Sequence, residues 1–307
     1  VELIIKPTSS CNFNCSFCAA SDLTIKHSPN HVPDKIKETI LALKPDTIIV
    51  TGGEPLCCSP EYYNELLQIY DCNISLTTNL KDFYLHPDKW SELFKNPCVH
   101  VCTSFNYGNT RCWSENDIYT EEKFKTVMNL FKDKIGYMPL FLAVIDNDNE
   151  DTYLKHVHLA KELGTTCRLN NALKIGRQGK HYPRYKIFQK WLDIIEMDLE
   201  EYEMNCSERK SGRCPINTNL MCSSCIRSIY LDVNDNIRSS DCEDKLNKGI
   251  ENEPINKSPI TDNCVCCELY RICNGCDINR EEAKVCPEYC FEMLKLKDKI
   301  INGGWRL

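Results

Sequence analysis

Apolar residues recur along the first 170 or so positions in two alternating periods. Leu3-Ile4-Ile5, inside residues 2–6, is a short continuous apolar run that fits a buried strand. Residues 33–44 repeat apolar positions at helical spacing, with Ile36, Ile40, Leu41 and Leu43. Thr47-Ile48-Ile49-Val50 is β-branched and predicts a second strand. The same reading predicts helix over 60–70, strand over 73–77, helix over 87–95 and strand over 98–104. Residues 120–133 form an amphipathic helix with Phe124, Val127, Met128 and Phe131 on one face. Strand over 139–145, helix over 150–163 and strand over 167–170 complete six alternations. Such alternation predicts an α/β fold, a parallel sheet with outer helices and with loops and ligands at the C-terminal strand ends.

Near residue 184 the pattern changes. Residues 184–204 read as one helix rich in Ile, Leu, Trp and acidic residues, a connection between two parts. From Cys214 to Cys290 apolar periodicity is weak and cysteine takes its place. A segment of that composition cannot bury much core and needs metal to hold it. Residues 228–233 and 236–239 read as a hairpin around Asn234-Asp235. The expected divisions are 1–185, a connecting helix over 186–213, a cysteine-rich unit over 214–290 and a tail over 291–307.

Charge adds little beyond exclusions. With 37 basic and 44 acidic residues the net charge is −7, and no basic run points to nucleic acid or an anionic membrane. No apolar run approaches the roughly 18 residues of a membrane span, and no signal peptide is visible. Cysteine changes the picture more: there are 22, three of them in residues 11–18 and eleven from Cys214 to Cys290. A chain of 307 residues can build a core without disulfides, so clustered thiols argue for metal in a reducing cytoplasm.

The first cluster is Cys11-Asn-Phe-Asn-Cys15-Ser-Phe-Cys18, directly after the first predicted strand. Three thiolates on one loop can hold three irons of a four-iron, four-sulfur cluster and leave one iron for a small molecule. Read on residues alone, a zinc site or three unrelated thiols remain open, although zinc calls for a fourth nearby ligand. Gly52-Gly53-Glu54-Pro55 follows the second strand, where two glycines permit close approach of a ligand to the backbone and a carboxylate can accept from an ammonium group. Thr77-Thr78-Asn79 ends the third strand and Ser104 the fourth; Asn170 ends the sixth and Arg177 follows it. Glu54, Asp146, His156 and His181 are candidates for acid–base work, with the helix around His156 and His158 read as a solvated face. Cys57, Cys58, Cys102 and Cys167 are candidates for hydrogen-atom donation, against the ordinary reading of cysteine as a small buried residue.

The CX3CX2C spacing, with Phe17 as its aromatic, resembles the radical S-adenosylmethionine superfamily. The resemblance implies a partial (β/α)6 TIM-like barrel over 1–185. It implies a [4Fe-4S] cluster on Cys11, Cys15 and Cys18, with S-adenosylmethionine on the open iron. It places the cofactor against Phe17, Gly52, Gly53, Glu54, Thr78, Asn79, Ser104, Asn170 and Arg177, with Leu80 standing where the family's T-N-G segment has glycine. Cys264-X2-Cys267-X5-Cys273-X2-Cys276 resembles the SPASM extension, a small cysteine-rich iron–sulfur domain. Its CX3C step is one residue short here, and Ile237 replaces the hairpin glycine.

The likeness implies one or two auxiliary [4Fe-4S] clusters. The first would use Cys225, Cys242 and Cys276 with Cys222 or Cys214; the second Cys264, Cys267 and Cys273 with Cys286 or Cys290. Structural zinc is the alternative reading of these cysteines. The implied activity is reductive cleavage of S-adenosylmethionine to a 5′-deoxyadenosyl radical that abstracts a substrate hydrogen. The substrate expected is a ribosomally made peptide, to be crosslinked, given a thioether or epimerised. Two other readings are a radical dehydrogenase or epimerase of an aminosugar or aminocyclitol, and an iron–sulfur electron carrier. No leader-binding winged helix is expected from these residues. A flavodoxin or ferredoxin is the expected electron donor, with neither nucleic acid nor membrane as partner.

Overall fold

The computed structural model describes residues 2–18, 28–108, 110–172, 176–178, 182–183, 186–187, 189–190, 193, 228–231, 237–238 and 288–302. The strands are β1 (Glu2–Ile5), β2 (Thr47–Val50), β3 (Asn73–Thr77), β4 (Val99–Ser104), β5 (Cys112–Ser114), β6 (Asp117–Ile118), β7 (Leu140–Ile145), β8 (Cys167–Asn171), β9 (Ser228–Leu231) and β10 (Ile237–Arg238). The helices are α1 (Asp34–Leu43), α2 (Pro60–Ile69), α3 (Lys81–Leu85), α4 (Pro87–Phe94), α5 (Glu121–Ile135), α6 (Tyr153–Leu163) and α7 (Tyr289–Asn302). One eight-stranded sheet runs in the order β10-β9-β1-β2-β3-β4-β7-β8, and β5 and β6 pair separately. All pairings from β9 through β8 are parallel; only β10 runs against β9. This is the parallel α/β sheet expected from the alternation, in the partial-barrel form that the resemblance implies.

The predicted strands and helices of the first 171 residues form within a residue or two, except that Glu150–Thr152 is a 3₁₀ turn before α6. Local chemistry sets the ends. Thr120 caps α5 by accepting from the Lys123 amide at 3.3 Å, and Gly136, at φ 102°, ends it in the left-handed conformation. Three elements escape the sequence reading: α3, and the short hairpin of β5 and β6. At five, three and two residues they are too short to carry a hydrophobic period. The predicted hairpin near residue 234 appears as β9 and β10, and β9 extends the main sheet by pairing with β1, Leu3 opposite Ile229. The helix predicted over 184–204 lies largely outside the described residues, as do Cys214 through Cys286.

The register sorts the side chains into two faces. Leu3, Ile48, Ile74 and Val99 align across four strands, and Ile5, Val50, Leu76 and Val101 form the next row. All eight are buried in the core with α-helical residues such as Ile40, Tyr63, Trp90, Phe94, Phe124 and Phe131. The alternate positions form the inner face: Ile4, Ile49, Ser75 and His100, then Thr77 and Cys102, then Ser104, Leu142 and Arg168, then Val144 and Asn170. Ile4 and Ile49 make a small cluster of their own, apart from the main core. His156 corrects the reading of its helix as a solvated face. It is fully buried, its Nδ1 bonded to the Thr152 carbonyl at 2.9 Å and its Nε2 accepting from the Tyr107 amide at 3.3 Å.

Candidate functional site

Residues 6–18, the loop that carries Cys11, Cys15 and Cys18, leave the C-terminal end of β1 and are clasped by four other segments. The first follows β2. The Gly53 amide donates to the Thr8 carbonyl at 2.8 Å and the Glu54 amide to the Ser10 carbonyl at 2.7 Å. A Cβ on Gly53 would stand 2.2 Å from the Ser10 carbonyl oxygen, and one on Gly52, at φ 118°, would stand 2.7 Å from that of Thr8. These glycines therefore let two backbones touch. The close approach that the sequence suggested for a ligand is made by the cysteine loop itself.

The second segment is the hairpin of β5 and β6. The Asn14 amide donates to Cys112 O at 3.0 Å and the Ser16 amide to Thr110 O at 2.8 Å. The Phe13 ring packs on Trp113 and Tyr119, with centroids 5.5 and 5.1 Å away. The third is Arg177. Its amide donates to Cys18 O at 3.1 Å, and its Nη1 donates to Asn14 Oδ1 and, at 3.3 Å, to Cys15 O. The fourth is the turn after β3. Asn79 Nδ2 donates to Asn12 Oδ1 at 2.8 Å and approaches Cys11 Sγ at 3.9 Å. Lys81 Nζ donates to Asn12 O at 3.1 Å and to Trp113 O at 2.5 Å.

Glu54 ties two of these segments together. Only 2 % of it is exposed, and its carboxylate is engaged by its own chain. Oε1 accepts from the Leu56 amide at 3.0 Å and from the Thr78 hydroxyl, and Oε2 accepts from the Asn79 amide at 2.8 Å. Desolvation pushes its pKa up to about 7, against the pull of these three hydrogen bonds. Its place in the fold is a cross-link from the end of β2 to the end of β3, which aims Asn79 at the cysteine loop.

Cys11 opens to solvent while Cys15 and Cys18 are half-buried. Crowding of protein around the thiol itself, and then the Glu54 carboxylate, push it up to about 12, with smaller contributions from Cys15 and Cys18. The three thiols thus share one electrostatic neighbourhood, and a metal that takes Cys11 as thiolate displaces a proton. Among the described residues no three His, Cys, Asp or Glu side chains converge as closely as a single ion requires. A cluster distributes its cysteines over different irons, so three thiols spread along one loop fit that group by chemistry.

The inner face of the sheet meets this loop at its C-terminal edge. Ser104 and Asn170 stand there half-buried, at the ends of β4 and β8. Cys102 lies on the same face, its Sγ 3.3 Å from Thr77 Oγ1. Cys167 is fully buried in the helix-facing row beside Phe141, so of the two strand cysteines only Cys102 faces the inner side. Cys57 is half-buried and Cys58 buried, both thiols raised chiefly by desolvation. Asp146 is buried and accepts from the amides of Asp148 and Asn149 at 2.9 and 3.1 Å, which closes a turn after β7.

Two residues at the site escaped the sequence reading. Arg111 is 7 % exposed, and its guanidinium carbon lies 5.2 Å from the centroid of the Phe17 ring. Its Nε and Nη2 both donate to Asn106 Oδ1, at 3.3 and 3.1 Å, and among the described residues no carboxylate pairs with it. The available signal was its isolation as the sole cation between Ser104 and Lys123. The other is Lys81, beside Leu80, which keeps a left-handed φ of 61° where the T-N-G pattern has glycine. His181 and the auxiliary-cluster candidates Cys222, Cys225, Cys242, Cys264, Cys267, Cys273, Cys276 and Cys286 lie outside the described residues.

Residues 5–160 match the Radical SAM superfamily. No curated protein matches the chain. Among solved structures, native anSMEcpe with bound AdoMet and the Cp18Cys peptide superposes at a TM-score of 0.65 and 15% identity, covering 98% of this chain and 97% of that one. Streptococcus suis SuiB bound to the precursor peptide SuiA superposes at 0.59 and 14% identity, over 88% of this chain and 70% of its own. SuiB bound to S-adenosylmethionine gives 0.58 and 14%, over 88% and 71%. At these identities the likeness is one of fold. No helix among the described residues is long and apolar enough to cross a membrane.

Proposed function

Because the chain belongs to the Radical SAM superfamily, whose enzymes use a [4Fe-4S] cluster with S-adenosylmethionine, we propose that it applies this chemistry to a ribosomally made peptide. The observation that carries the site assignment is the clasped loop of Cys11, Cys15 and Cys18 at the C-terminal mouth of a sheet whose inner face sets Thr77, Ser104, Arg168 and Asn170 among apolar side chains. When bound, the cofactor pair supplies a 5′-deoxyadenosyl radical that removes a substrate hydrogen atom; the rest falls to the chain. Cys11, Cys15 and Cys18 hold the cluster. Gly52, Gly53 and Glu54 brace its loop from β2, Thr78 and Asn79 from β3, and Arg177 from beyond β8. Phe17, Ser104 and Asn170 line the side where the cofactor enters. Arg111, buried and with no carboxylate partner among the described residues, suits the methionine carboxylate, which its planar fork can bond twice. The half-buried inner face, with Thr77, Cys102 and Arg168, receives the substrate and limits water there.

Peptide chemistry is supported by fold neighbours whose structures hold peptides, the Cp18Cys peptide and the precursor SuiA. In this reading residues 1–185 are the radical domain, 186–213 a connecting helix, 214–290 a SPASM-like unit with one or two auxiliary clusters and 291–307 a tail. A flavodoxin or ferredoxin supplies the electron. The test is anaerobic reconstitution with iron and sulfide, iron counting, and 5′-deoxyadenosine release under reductant. Two auxiliary clusters give about twelve irons per chain and one gives about eight. Replacing Cys11, Cys15 and Cys18 with Ala removes about four irons and all deoxyadenosine. Arg111→Met keeps the iron but weakens S-adenosylmethionine binding by about 10- to 100-fold, the loss of a charged hydrogen-bonding partner. Zinc with no deoxyadenosine sinks the reading. Deuterium moving into deoxyadenosine from a labelled cysteine-containing peptide encoded beside this chain supports the peptide; transfer only from an aminosugar replaces it.

A further inference from the structure

The turn after β3 brings two side chains to one residue of the cysteine loop. Leu80, in the left-handed region, lets its own amide donate to Thr78 Oγ1 at 3.0 Å and lets the Lys81 amide donate to Asn79 Oδ1 at 2.9 Å. From that turn Asn79 holds the side chain of Asn12 and Lys81 holds its carbonyl. Lys81 Nζ reaches on to Trp113 O at 2.5 Å and lies over the rings of Trp113 and Phe13, 5.1 and 5.9 Å from their centroids. Asn12 is the neighbour of Cys11, and Trp113 belongs to the hairpin that bonds Asn14 and Ser16. No carboxylate pairs with Lys81 within ion-pair distance among the described residues. Its partners are carbonyls and aromatic faces, which orient a cation without cancelling its charge. Asp117 and the Cys11 thiol are the groups whose charge it feels, and Cys11 belongs to the site.

We infer that Lys81 is a positioning residue: it pins the cysteine loop to the hairpin of β5 and β6 and keeps one uncancelled positive charge beside Cys11. The inference rests on the cluster assignment above. Two consequences follow from elementary electrostatics. Removing the pin frees residues 12–16 even in the metal-free protein. Removing the charge destabilises the more negative, reduced state of a group held by Cys11, so the reduction midpoint falls.

The experiment compares the full-length wild type with Lys81→Arg, Lys81→Gln and Lys81→Met. In the metal-free proteins, hydrogen exchange of peptides spanning residues 11–18 is followed by mass spectrometry. Lys81→Met is expected to lose about tenfold or more of the protection at Asn14 and Ser16, the effect of one charge-assisted hydrogen bond. Lys81→Arg is expected to retain most of it, and Lys81→Gln to fall between. After reconstitution, iron is counted and the cluster is titrated with reductant under electron paramagnetic resonance. Lys81→Gln and Lys81→Met are expected to shift the midpoint to more negative potential, with Lys81→Arg close to the wild type. A wild type that binds no iron–sulfur cluster defeats the cluster assignment and not this inference, since the exchange result stands without metal. Wild-type protection and midpoint in Lys81→Met overturn the inference. So does a midpoint in Lys81→Arg as low as that of Lys81→Met, because the charge would then be irrelevant. Should Lys81→Met fail to fold, Lys81→Gln carries both readouts.

Discussion

On the helix-facing side of the sheet, Leu3, Ile48, Ile74 and Val99 make one row across four strands, and Thr103, Phe141 and Cys167 continue another, every one of them buried. On the opposite side the matching rows read Ile4, Ile49, Ser75 and His100, then Ser104, Leu142 and Arg168. Parallel sheets ordinarily bury both faces in apolar residues. Here only one face does so, and the other is half-open and increasingly polar toward the end where the cysteine loop sits. A period of two residues has divided the labour: one face supplies the free energy of folding, the other a lined chamber. Single substitutions therefore act very differently on adjacent residues of one strand.

The sharpest contrast is on β7. Phe141 is fully buried, its ring 5.2 Å from that of Phe124, so Phe141→Ala should cost about 3–5 kcal/mol of stability. Leu142 points the other way and is half-buried, and Leu142→Ala should cost under about 1.5 kcal/mol. Urea unfolding of the metal-free chain measures both; equal losses would break the comparison.

A second contrast lies in pH. His156, packed in the helix layer, has its pKa pushed down from 6.5 to about 4 by desolvation, with Arg111 adding to the effect. Its folded pKa is depressed, so above pH 6.5 it costs nothing. As pH falls from 6.5 toward 4 the unfolded chain takes up the proton first and stability is lost, by about 3 kcal/mol from this group. Thermal melts of the metal-free protein across that window should show the decline, and His156→Phe should flatten it.

Next in size is the glycine pair. Gly53→Ala drives a methyl into backbone at Ser10, which neither segment can avoid by a rotamer change, and should cost about 2 kcal/mol with a loss of iron uptake. Gly136→Ala meets open space, and only its φ of 102° resists, so about 1 kcal/mol and unchanged iron uptake are expected. The smallest effect belongs to Ser75→Ala on the inner face, within about 0.5 kcal/mol in the same unfolding assay.

Periodicity along the chain is enough to order the longer strands and helices through residue 171, though not α3 or the hairpin of β5 and β6. The outer rows are apolar at nearly every second position of the strands, Thr103 excepted, and helices such as α5 are apolar at every third or fourth. The sequence also marks Cys11, Cys15 and Cys18 as one candidate metal-binding set, because three thiols on one short loop need no distant partner to be seen together. What Gly52, Gly53 and Glu54 touch depends instead on how the strand ends are gathered. A glycine facing a ligand and one facing its own chain are written with the same letter, and the neighbour that distinguishes them, Ser10, lies over forty positions away. The same holds for His156, whose burial depends on the Tyr107 amide and the Phe105 ring supplied by the segment after β4. It holds as well for Arg111 and Lys81. Their partners Asn106, Asn12 and Trp113 lie on other turns of the chain, and no periodicity records a contact that forms only when strand ends are gathered by the sheet.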